Sequence, residues 1–145
     1  MKFRHDISAA WHRDGMVTSA RGWAANLALF RVVFLACVAL PWALRCYRWT
    51  VAVLPQLPRT MWQPISFYQL MPLEVLCNAS LARALALANI FLIGVAIIGF
   101  RTRLTLWLAT FVSFYVFGLM ENLGKVDHFH HVIWFMAMLA CGPSA

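Results

Sequence analysis

One short segment is the densest cluster of residues in this chain that can move a proton: Lys125-Val126-Asp127-His128-Phe129-His130-His131. Imidazole titrates near neutral pH, so paired histidines can pass a proton, hold a hydroxyl group or begin a metal site. Asp127 has the side chain of a helix N-cap, and a helix opening at His128 is expected after it. On such a helix His128 and His131 are three residues apart and share a face, which makes them the candidate catalytic pair. His130, Asp127, Lys125 and, from the first apolar segment, Arg31 are the candidates for holding a cofactor or an anionic group. A plainer reading stands beside this one. Histidines at a helix start can be wetted interfacial anchors, and Lys125 and Arg31 can lay their stems along apolar surroundings with the charge in water. Glu121 can end the preceding segment or pair with Lys125 four residues on. A metal normally takes three or four ligands. The only other histidines, His5 and His12, lie in the basic amino-terminal arm, so no metal site within the chain is expected.

The elements that must position these residues are apolar to an unusual degree. Hydrophobic residues make up 63% of the 145 and charged residues 12%, against roughly a half and a quarter in a soluble domain. Ala84 to Phe100 and Leu104 to Met120 are uncharged stretches of 17 residues separated only by Arg101-Thr102-Arg103. That length is at the lower end of what spans a bilayer core as a helix. Leu27 to Leu44 is a first span carrying one charge, Arg31, with Pro41 near its end. Arg45 to Ser80 contains Pro55, Pro58, Pro64 and Pro72, a density that prevents a regular spanning helix. It is too apolar for a solvated linker and reads as a proline-rich interfacial cap. Ser80, Ala84 and Ala88, four apart, form a small-residue face on which another helix can pack closely. A fourth apolar stretch begins near His128 and reaches only Cys141-Gly142-Pro143. The expected fold is therefore all-α: an integral membrane helical bundle with three full transmembrane helices and the start of a fourth. Residues 1–22 form a basic arm, and residues 23–145 a transmembrane domain expected to continue beyond this chain.

The net charge of +7 arises from 12 Lys and Arg against 5 Asp and Glu. Spread over interfacial loops, it implies contact with the lipid bilayer and its anionic headgroups. No run of basic residues interleaves with aromatics, so nucleic acid is not an expected partner. Lys2, Arg4, Arg13, Arg21, Arg101 and Arg103 fall on one side of the predicted topology, and Arg45, Arg48, Arg59, Arg83 and Lys125 on the other. The positive-inside rule leans towards a cytoplasmic amino terminus in a multi-pass protein of a plasma or inner membrane. Of the cysteines, Cys46 and Cys77 flank the cap and could be bridged in an oxidising compartment; free thiols are the alternative.

Leu29-Phe30-Arg31 opening the first helix, Gly99-Phe100-Arg101-Thr102-Arg103 between two helices, and a histidine-bearing turn opening the next occur in that order. In this the chain from about Trp23 onward resembles the amino-terminal part of the horizontally transferred transmembrane (HTTM) domain family, to which the vitamin K-dependent gamma-carboxylases belong. The resemblance implies a multi-helix membrane enzyme in which vitamin K hydroquinone is deprotonated and drives carboxylation of protein glutamate without a metal. The carboxylases open the corresponding helix with an Asn-His pair. Here the pair is Asp127-His128, so only His128 carries over, and the family's tyrosine two residues later is His130. The family's catalytic lysine lies beyond the part matched. The expected cofactor is thus a quinone or vitamin K hydroquinone, the expected partner a protein or quinone substrate, and this chain alone is expected to be inactive. The competing expectation is a DoxX-like four-helix membrane subunit that binds quinone or a protein partner without catalysis.

Overall fold

The computed structural model describes residues 22–64, 66–123 and 130–142. All regular structure among them is helical. Helix α1 runs Gly22–Gln56, α2 Ala79–Ile98, α3 Thr102–Glu121 and α4 His130–Cys141. The first three are each long and apolar enough to cross a membrane. The 12 residues of α4 reach roughly 18 Å at 1.5 Å per residue, short of the ~30 Å hydrocarbon layer. The expectations that fall on the amino-terminal arm, on Lys125, Asp127 and His128, and on the N-cap of the last helix lie outside the described residues.

Helix α3 is the centre of the bundle. It packs between α2 and α4, and α1 lies along α2. Its buried residues are small or polar as often as aliphatic: Thr105, Ala109, Thr110 and Ser113 are all buried. Meanwhile Phe91, Ile98, Phe111 and Trp134 face outward, each more than 60% exposed. A water-soluble domain has the opposite bias in its interior. The arrangement fits a lipid exterior, where tight contact between helices depends on small residues and on internal hydrogen bonds. Those bonds are present. Thr110 Oγ1 donates to the Leu106 carbonyl at 2.7 Å, and Ser113 Oγ donates to Asn89 Oδ1 on α2 at 2.9 Å.

The close-packing face of α2 differs from the one expected. Ser80 and Ala84 are exposed and Ala88 only half-buried. The buried stripe is Ala82, Ala86, Asn89, Ile93 and Ala96, a spacing of fours and threes that follows one side of a helix. A four-residue repeat of small side chains drifts around the helix, whereas the 4-3-4-3 stripe stays against α1 and α3.

Helix α1 is also longer than the sequence suggested, because Pro41 does not end it. Residues 35–39 form a single π-turn, closed by the Leu40 N–H on the Leu35 carbonyl. Pro41 follows at the start of the renewed α-segment Leu40–Ala52. A proline ring ordinarily collides with the carbonyl four residues back, and the wider π-turn accommodates it. The helix stops at the 3-10 turn Leu54–Gln56, which contains Pro55.

The cap is correspondingly shorter, from residue 57 to Asn78. It is a chain of 3-10 turns at Arg59–Met61 and Ser66–Leu70 and one helical turn at Leu73–Leu76. Trp62, Tyr68 and Leu76 are buried beneath it. Asn78 then caps α2, its side chain accepting from the Leu81 N–H at 3.1 Å. At the other end, Gly99 closes α2 at φ 93°, the left-handed conformation that glycine adopts without a Cβ penalty. Arg101 also has positive φ, 39°, in the tight turn into α3.

Candidate functional site

The ends of α1 and α3, the starts of α2 and α4 and the cap all meet at one end of the bundle. There, the last residue of α3 and the first described residue of α4 form a pair: His130 Nε2 lies 3.0 Å from Glu121 Oε2. The carboxylate side chain is 4% exposed and the imidazole 44%. A carboxylate out of water is expensive unless a partner neutralises or hydrogen-bonds it. His130, when protonated, places the opposite charge within ion-pair distance of it. The two groups also differ in access to water. A proton arriving at the sealed carboxylate has an imidazole next to it that reaches the surface.

Tyr68 forms the roof beside this pair. Its ring stacks on Phe114 with centroids 5.6 Å apart and planes 16° from parallel. Its hydroxyl donates to the Phe114 carbonyl. Gly118, one turn further along α3, makes this possible: a methyl group there would overlap the Tyr68 phenol. Burial pushes the Tyr68 pKa above the usual tyrosine value, and the negative charge of Glu121 pushes it further the same way. The phenol is therefore a neutral donor at all physiological pH values, within electrostatic reach of the carboxylate.

Two further ties hold the cap on the helices. The Gln63 N–H donates to the Asn122 carbonyl at 2.7 Å, and the buried Asn122 amide donates to the Gly118 carbonyl at 3.0 Å. Tyr115 on α3 donates its hydroxyl to the Val75 carbonyl at 2.9 Å. Cys77 lies beside this second tie. Burial raises its thiol pKa, with Glu74 adding to the rise and Arg59 opposing it, so it lacks the low pKa of a reactive cysteine. All four cysteines are free. Cys46 is buried in α1 with its thiol 3.7 Å from Met120 Sδ, which makes it a packing residue.

His128, one half of the pair that the spacing singled out, lies outside the described residues. His131 is exposed, and its neighbour His130 is the histidine brought to Glu121. Arg31 is at the far end of the bundle, beside the α2–α3 turn, where a methyl group at Gly99 would sit 3.9 Å from its Nη2. It is remote from the cap and does not share a site with the histidines. Glu121 was legible as an acid ending an apolar helix or as a partner for Lys125, which lies outside the described residues. The contact with His130 crosses a turn whose path no spacing rule predicts. Among the described residues no three His, Cys, Asp or Glu side chains converge as a metal-binding set. Compared with family models, curated proteins and solved structures, the chain matches none.

Proposed function

We propose that this chain is a multi-pass membrane protein of HTTM type whose cap-side pair, Glu121 and His130, handles a proton in quinol-linked, carboxylase-like chemistry. The observation that carries the reading is the pair itself: a sealed carboxylate in contact with a half-exposed imidazole at the end of an apolar bundle. Ionisable groups at such depth are costly and most often serve function. Three candidate spanning helices support the membrane setting. The amino terminus is assigned to the cytoplasmic side, so that the cap faces outward.

The side chains suit a hydroquinone chemically. Glu121 is an acceptor, His130 can donate or accept, and Tyr68 and Phe114 supply aromatic walls. A bound hydroquinone would supply an acidic hydroxyl and two electrons. With dioxygen as the acceptor of those electrons, Glu121 would be placed to accept the hydroxyl proton and His130 to pass it to water at the rim. The Tyr68 phenol stays protonated and keeps the cap closed against bulk solvent, which strengthens the electrostatics beneath it.

The test is vitamin K hydroquinone oxidation by the full natural protein in lipid nanodiscs, for wild type and for Glu121→Gln and His130→Gln. General-base loss predicts a fall in rate of about 100-fold or more for E121Q. Unchanged rates in both variants would refute the assignment. The packing of the three other helices around α3 favours a second reading, a DoxX-like subunit that binds a quinone or protein partner without turnover. It predicts saturable quenching of tryptophan fluorescence by a quinone with no oxidation of the hydroquinone.

A further inference from the structure

The end of the bundle opposite the cap has a charge pattern that the proton chemistry does not use. Arg31 reaches from α1 to the α2–α3 turn and lies beside Gly99. Its Nε is buried and has no hydrogen-bond partner. Arg101 and Arg103 are exposed on that same turn and the start of α3. The carboxylates among the described residues are Glu74, in the cap, and Glu121, at the cap end of α3. None of them is available to this end. Three arginines therefore lie at one end of the bundle, about one turn, without a described counter-charge. A desolvated guanidinium nitrogen without an acceptor is unfavourable, so the site calls for an external anion. The residues next in sequence to these arginines indicate its source. Phe30, Ile98, Phe100 and Leu104 are all large, apolar and exposed.

We propose that Arg31, Arg101 and Arg103 bind the phosphate of an anionic phospholipid headgroup, with its acyl chains along Phe30, Phe100 and Leu104. Guanidinium presents a planar fork of donors matched to phosphate oxygens. Arg31 supplies the partly buried contact, and Arg101 and Arg103 the outer two. The headgroup then neutralises the Arg31 charge and pins α1 to the α2–α3 turn. The inference rests on the membrane reading but is independent of the Glu121–His130 chemistry.

The experiment uses the intact protein mixed with vesicles of phosphatidylcholine alone or with one-fifth phosphatidylglycerol. Flotation first reports whether the protein enters the bilayer at all, so a failure of the membrane reading is seen separately. Lipid retained after detergent extraction is then counted by native mass spectrometry. Wild type should retain phosphatidylglycerol over phosphatidylcholine by about tenfold or more, and Arg31→Gln should abolish most of that preference. The exposed double variant R101Q/R103Q gives the same reading if R31Q does not fold, and R48Q, at the cap end, should leave retention unchanged. Equal retention of both lipids by wild type overturns the proposal, as does undiminished preference in R31Q or in R101Q/R103Q. Displacement of the lipid by millimolar inorganic phosphate would also overturn it, in favour of a free-phosphate site.

Discussion

The two ends of this bundle handle charge in opposite ways. At the cap end, Glu121 meets His130, and the amides and phenols of Asn122, Tyr68 and Tyr115 are bonded within the protein. At the hairpin end, Arg31, Arg101 and Arg103 have no described carboxylate near them, and Arg31 Nε is unpartnered. Where the partner is internal, a proton can be exchanged between protein groups. Where it is missing, an anion from outside is the proposed counter-charge. The same composition thus leaves a carboxylate–imidazole contact at one rim and arginines without a described counter-charge at the other.

The largest expected effect is at the first rim. Glu121→Gln removes the base and the charge-assisted contact and should lower hydroquinone oxidation by about 100-fold or more, whereas Arg31→Gln should leave the turnover of correctly inserted protein within about twofold. Equal losses in both variants would erase the distinction between the ends.

Next in size is Gly118→Ala. The added methyl group has no room beneath Tyr68, and overpacking of this kind costs about 1–3 kcal/mol. The substitution should lower the melting temperature in detergent and increase proteolysis within the cap. Gly94→Ala, with nothing within 4 Å of the added carbon, serves as the control. A stable Gly118→Ala protein with an intact cap would contradict the packing described.

A smaller effect is expected at alkaline pH. The Tyr68 pKa is raised in the folded state, so the folded protein holds this proton more tightly than the unfolded chain. The associated stability is fully present below the ordinary tyrosine pKa of ~10 and is lost as pH rises through the elevated value. The phenolate also cannot donate to the Phe114 carbonyl. Thermal melts should therefore fall more steeply above pH 10 in wild type than in Tyr68→Phe, a contrast on the order of 1 kcal/mol. Parallel curves for the two proteins would remove Tyr68 from the account.

The smallest effect lies midway between the ends, where Ser113 donates to Asn89 at 2.9 Å and both residues are fully buried. Interhelical hydrogen bonds in a membrane interior couple by about 0.6 kcal/mol on average. A double-mutant cycle with Asn89→Ala and Ser113→Ala should return a coupling near that size.

Much of this architecture was legible in the sequence, for a simple reason. Uninterrupted apolar stretches flanked by arginine leave few structural options, and α2 and α3 fall within five residues of the stretches read from composition alone. The extension of α1 past Leu44 was not legible, and the π-turn before Pro41 depends on how α1 fits against α2. The small-residue face of α2 was misplaced by counting in fours, since a buried stripe on a straight helix alternates fours and threes. The site was visible only in part. The contact of His130 with Glu121 depends on how α4 packs against α3, which residue spacing does not encode. Tyr68 carried no signal at all until Gly118 was seen beneath its ring.

The account depends most on lipid being the solvent around the outward-facing apolar residues. Phe111, at the middle of α3 and 68% exposed, tests this directly. A single cysteine at that position in a background lacking the native cysteines, spin-labelled and reconstituted in vesicles, should collide readily with oxygen and rarely with a water-soluble nickel chelate. A label reached freely by the chelate would place Phe111 in water and contradict the account.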